Sequence, residues 1–106
     1  MIDIKLKNFK EVEKERLEGM VVGELVWEAV PRDDYSVSYN VIAIKSINAE
    51  EGNINGIDIN NRYSERKYDS KFIYTASELL DEKRLSREDI AREYKKHKKI
   101  ISKLKG

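Results

Sequence analysis

Residues 20–59 carry the feature that most narrows what this chain can become: three runs of strand-forming residues separated by two turn signals. In the middle run Tyr35, Val37, Tyr39 and Val41 alternate with Ser36, Ser38 and Asn40, a period of two that sends every second side chain to one face of a sheet. The run before it, MVVGELVWEAV, places Val21, Gly23, Leu25, Trp27 and Ala29 on one face and Val22, Glu24, Val26, Glu28 and Val30 on the other. Between the two lies Pro31-Arg32-Asp33-Asp34, where proline presets φ and the aspartates bond back to the backbone. A second turn over residues 48–53, with Gly52 available for positive φ, returns the chain through Ile54 to Ile59. The apolar set shifts to Ile42 and Ile44 midway, which predicts a bulge near Val41 and Ile42. The expectation is an antiparallel meander of three strands with Trp27 in its core.

The flanks read as helical. Ile2, Ile4 and Leu6 alternate with charged residues as a short strand would, and Asn8 with Glu11 forms a helix start before a weak stripe of Phe9, Val12 and Leu17, with Gly19 as the stop. Residues 60–70 are polar and read as a long loop, after which Lys71, Phe72, Ile73 and Tyr74 rejoin the sheet. Thr75 with Glu78 opens a short helix to about residue 83, and Ser86 with Asp89 opens a last helix over about 87–104. The fold class is α+β: a small antiparallel sheet, or a partly open barrel, with a short N-terminal helix and a C-terminal helical pair. At 106 residues the chain has room for one core, and residues 1–106 are read as one domain.

Several chemistries are excluded outright. No cysteine means no disulfide and no thiolate metal site, and no stretch approaches the roughly 20 apolar residues of a membrane span. No signal-peptide core follows Met1, so a soluble, cytoplasmic protein without membrane contact is expected. His97 is the only histidine, which rules out a histidine cluster or a Ser-His-Asp set and makes it a packed or interface residue with Glu93 four positions before it. Gly52 and Gly56 flank a strand instead of joining a strand to a helix, so there is neither a P-loop nor a dinucleotide fingerprint. Acidic pairs occur at Asp33-Asp34, at Glu50-Glu51 and at Glu24 and Glu28, with Lys45 nearby; a small metal-dependent hydrolase is the reading they would support. The expectation is no catalytic residue, no metal and no cofactor.

Charge supplies the functional lead. Residues 92–106 hold seven basic residues and one acidic one, a charge of +6; the other 14 basic and 19 acidic residues leave −5 on the remainder. Lysines near a helix C-terminus favour its dipole and keep a chain in solution, but a basic helix on an acidic body also attracts polyanions. A second region interleaves cations with aromatic rings, as single-strand binders do. The candidate nucleic-acid-binding residues are Arg62, Tyr63, Arg66, Lys67, Tyr68 and Lys71 in that region, with Phe72 and Tyr74 beside them, and Arg92, Lys95, Lys96, Lys98, Lys99 and Lys103 on the helix.

Ile90, Tyr94, His97, Ile101 and Leu104 form a heptad-type seam along the last helix. It either packs on the chain's own sheet or docks on a partner, which leaves monomer and dimer both open. The alternative function is therefore a protein-docking regulator, inhibitor or accessory subunit, using that seam or a strand edge. Residues 77–94 also resemble a helix-turn-helix motif, with Leu79, Leu85 and Ile90 at its apolar positions; Leu80, Arg84 and Glu93 depart from the pattern.

Overall fold

In the computed structural model, which describes residues 8–106, helix α1 (Phe9–Glu18) leads into strands β1 (Leu25–Pro31), β2 (Val37–Asn48), β3 (Asn53–Asp58) and β4 (Ser64–Asp69). A 3-10 turn (Ser70–Phe72) precedes β5 (Ile73–Thr75), and the chain ends in helices α2 (Ala76–Asp81), α3 (Arg87–Lys96) and α4 (Lys98–Lys105). The strand expected at Ile2, Ile4 and Leu6 lies outside the described residues. The meander stands as expected: β1 pairs β2 from Leu25 opposite Ala43 to Pro31 opposite Val37, and β3 returns along β2 after Gly52, whose φ is 74°.

Two strand expectations need correction. The bulge falls between Ile44 and Ser46, not at Val41 and Ile42. Val41, Ile42, Ala43 and Ile44 are all buried because both faces of the sheet are covered there, so a consecutive apolar run marks a two-sided core and not a bulge. The polar stretch read as a loop contains β4, paired with β3 from Asp58 opposite Ser64 to Asn53 opposite Asp69. An edge strand has to bury little, and here only Tyr68 is buried; the charges on its other positions guard the open edge.

The strand order is β4-β3-β2-β1-β5, every pair is antiparallel, and β4 and β5 do not pair with each other. The sheet is open, but it cannot be flat. Four strand spacings put its edges roughly 19 Å apart in a flat sheet, whereas the four residues from Asp69 to Ile73 span at most about 14 Å. The edges must therefore curl toward one another. Leu17 and Met20 fill the concave side with Val26, Ile42, Ile44, Ile54, Tyr68 and Ile73, drawing on strands at both edges. Within β3, Gly56 lies on this inner face, where a Cβ would sit 2.3 Å from Ile42 Cγ2.

Of the expected α1 stripe only Leu17 is buried; Phe9 is 69% and Val12 46% exposed. The helix is fixed instead by Arg16, at the gap between the sheet edges. Its Nη1 donates to Ser70 O at 2.9 Å, its Nη2 donates to Ile73 O, and Nε and Nη2 take both oxygens of Glu78 at 2.8 and 2.7 Å. Both helix starts read after the sheet are present as reciprocal caps, Thr75 with Glu78 and Ser86 with Asp89.

The convex side carries the second core. Leu25, Trp27, Val41, Ala43 and Ile59 are buried under Leu79 of α2 and Ile101 of α4, with Tyr39, Tyr74, Ile90, Tyr94 and Leu104 packed around them. Trp27 is a core residue, as its strand position required. The expected single helix over 87–104 is broken at His97, whose φ of −112° and ψ of 24° leave the helical region. A straight helix touches a convex surface along one stretch only; the break lets both Tyr94 and Ile101 reach it.

Candidate nucleic-acid interface

The seam positions decide where the lysines point. Ile101 and His97 are buried, Ile90, Tyr94 and Leu104 are half-buried against the sheet, and the Tyr94 hydroxyl accepts the Leu25 N–H at 3.0 Å. Burial raises the Tyr94 hydroxyl above its ordinary pKa, the Leu25 bond opposes that, and Glu24 adds to it. Ile90, Tyr94, Ile101 and Leu104 thus pack against the chain's own sheet, and His97 is buried beside them. Lys95, Lys96, Lys98, Lys99 and Lys103 are left exposed on the outer side of the elbow between α3 and α4.

These five lysines and Tyr63 line one open groove of about 1310 Å³. Tyr63 reaches it because the β3–β4 turn passes beside the elbow, with Ile59 buried in the same cluster as Ile101. Among the described residues none of the five lysines has a carboxylate within 4 Å. Elsewhere some cations are paired, Lys14 with Glu50 at 2.6 Å, Arg16 with Glu78, Lys45 with Glu65 at 2.9 Å and Arg84 with Glu82 at 2.9 Å, while others, Arg62, Arg66 and Lys67 among them, likewise have no carboxylate within 4 Å among the described residues. His97 lines the groove as well. Its Nε2 stands 3.2 Å from Glu93 Oε2 but off the hydrogen-bonding direction, so it makes no bond.

The structure divides the other candidates. Arg62 is exposed beside Tyr63 at the tip of the turn, and Lys67 alternates with buried Tyr68 and so lies on the convex side of β4. Tyr68 is no stacking platform: it is buried in the concave core with its hydroxyl unpaired, and Arg66 lies over its ring at 5.3 Å. Burial raises the Tyr68 hydroxyl above its usual pKa, Asp58 adds to this and Arg66 opposes it. Arg66 is therefore on the concave side, away from the groove. Lys71 covers its neighbour Phe72 at 5.2 Å in the 3-10 turn, and Tyr74 packs into the convex core. Arg92 pairs with Asp89 at 3.3 Å and lines a separate recess of about 390 Å³ with Trp27, Tyr39 and Glu93. Sequence reasoning missed Ser102, which also lines the groove, and the elbow itself, which no proline or glycine announces.

The remaining motifs are accounted for locally. Helix α3, which a helix-turn-helix would lay in a major groove, carries Glu88 and Asp89 in its first turn and packs on the sheet through Ile90 and Tyr94. Glu24 accepts the Val21 N–H at 3.0 Å, Glu28 reaches Asn40 at 3.4 Å, and Lys45 is taken by Glu65, so the hydrolase set does not converge. No group of three histidine, aspartate or glutamate residues suited to a metal occurs among the described residues, and no helix there is long and apolar enough to cross a membrane. No family model, curated protein or solved structure matches the chain.

Proposed function

We propose that this chain is a non-enzymatic nucleic-acid-binding module that holds phosphates in the groove at the α3–α4 elbow. The observation that carries this reading is the convergence on one groove of five exposed lysines that have no carboxylate partner among the described residues. Uncompensated cations at such spacing attract a polyanion and release its counterions, so affinity falls with salt. The −5 charge on residues 1–91 repels a strand from the rest of the surface, which confines contact to this face. A cytoplasmic location suits a cysteine-free module of this kind.

If four to five phosphates are engaged, the logarithm of affinity falls against the logarithm of salt with a slope of about −3 to −4. Changing Lys95, Lys96, Lys98 and Lys99 together to Ser should abolish oligonucleotide binding and leave the circular dichroism spectrum unchanged. Absence of binding to any DNA or RNA at ~50 mM salt, where this attraction is strong, refutes the proposal. The second reading is a protein-docking regulator, favoured by the edge of β4, which pairs only with β3 among the described residues. The charges of Glu65, Arg66, Lys67 and Asp69 along that edge count against it.

A further inference from the structure

The turn that brings Tyr63 to the groove is built at a cost. Ser64 N–H donates to Asn61 O at 3.0 Å, and the two residues between them, Arg62 and Tyr63, have φ of 54° and 57°. Two consecutive left-handed residues make the turn class that favours Asn-Gly, because side chains with a Cβ are strained there. Asp58 fixes the approach: it is buried, its Oδ1 accepts the Asn60 N–H at 3.1 Å and its carbonyl accepts the Asn61 N–H at 3.3 Å. Packing does not repay the strain, since Tyr63 remains 57% exposed and its hydroxyl makes no hydrogen bond among the described residues. Strain held at an exposed position beside a charged groove points to a role in binding.

Tyr63 is also the aromatic ring best placed for such a role. Tyr68 is buried, Phe72 lies under Lys71, and Tyr35 sits at the β1–β2 turn outside the groove. We infer that the groove takes single-stranded nucleic acid, with one nucleobase stacked on the Tyr63 ring while the elbow lysines hold the neighbouring phosphates. This rests on the nucleic-acid reading above and adds the strand class to it. An unpaired base offers its face to an aromatic ring; a base inside a duplex offers only its edges.

The test compares a short oligothymidylate with a duplex carrying the same number of phosphates, by fluorescence anisotropy at ~50 mM salt. Wild type should prefer the single strand. Tyr63→Gly should weaken single-strand binding about 5- to 150-fold and leave duplex binding unchanged. The same variant should melt about 3–5 °C higher, because glycine relieves the left-handed strain. Tyr63→Phe, which keeps the ring, should bind like wild type, and an abasic strand should bind wild type no better than Tyr63→Gly. Equal affinity for strand and duplex, or wild-type strand binding by Tyr63→Gly, overturns the stacking inference; the lysine reading then still stands if the fourfold Ser variant loses both ligands. Displacement of the strand by poly-L-glutamate at equal charge would assign the groove to an acidic protein and overturn it too. Failure of both nucleic acids to bind removes the inference and the proposed function together.

Discussion

Replacing Arg16 with Ala tests how α1 is held to the 3-10 turn, β5 and α2. The guanidinium gives hydrogen bonds to Glu78, to Ser70 O and to Ile73 O, and stands 3.3 Å from Glu13 Oε2, so one side chain joins α1, the 3-10 turn, β5 and α2. Breaking a fully buried ion pair by removing one partner costs about 3–5 kcal/mol. Here Arg16 is 19% and Glu78 36% exposed, so water can reach part of what is left unpaired. Discounting for that gives a loss of about 2–3 kcal/mol, or a Tm lower by roughly 8–15 °C in a domain of this size. Arg16→Lys keeps the charge but loses the planar fork, and should fall between the two proteins. Acid adds a second readout. Burial, the largest influence, pushes the Glu78 carboxyl up, yet Arg16 and the Thr75 N–H outweigh it and hold it below the usual glutamate value. A carboxyl lowered in the folded state stabilises the fold above its unfolded value near 4.5, and that contribution is lost as pH falls through the lower folded value. Wild type should therefore lose stability below about pH 4.5, and Arg16→Ala should lose less over the same range. An Arg16→Ala protein that melts within about 2 °C of wild type would refute the claim that this side chain ties α1 to the 3-10 turn, β5 and α2.

Ile101→Asp places a charge in the convex core beneath α4 and should unfold the protein at every concentration; a folded monomer obtained from a dimeric parent, seen by light scattering, would contradict the packing of the seam. Gly56→Ala should cost about 1–3 kcal/mol in urea unfolding, because the new methyl meets Ile42 Cγ2 in the concave core with no exposed, flexible end to move aside. Wild-type stability of that variant would mean that the inner face is looser than its geometry states.

The sequence by itself determined whatever depends on neighbours along the chain. Alternation in Tyr35, Val37, Tyr39 and Val41 gave the meander, since a half-buried strand has no other period. Thr75 with Glu78 and Ser86 with Asp89 gave two helix starts, because a cap is made within three residues. The buried place of Trp27 followed from the face it shares with Leu25. Tertiary structure decided what depends on residues far apart. SERKYD is a strand only because β3 lies beside it, and nothing in its own polarity says so. Phe9 and Val12 face solvent because the short link from β4 to β5 bends the sheet around Leu17 and Met20, leaving α1 only its C-terminal half to bury. The lysines of the last helices were legible as charge. Their junction with Tyr63, and the separation of Arg66, Tyr68, Lys71 and Arg92 from it, were not. Charge and aromaticity are properties of residues, whereas a groove is made by the turn and the elbow that one buried cluster brings together.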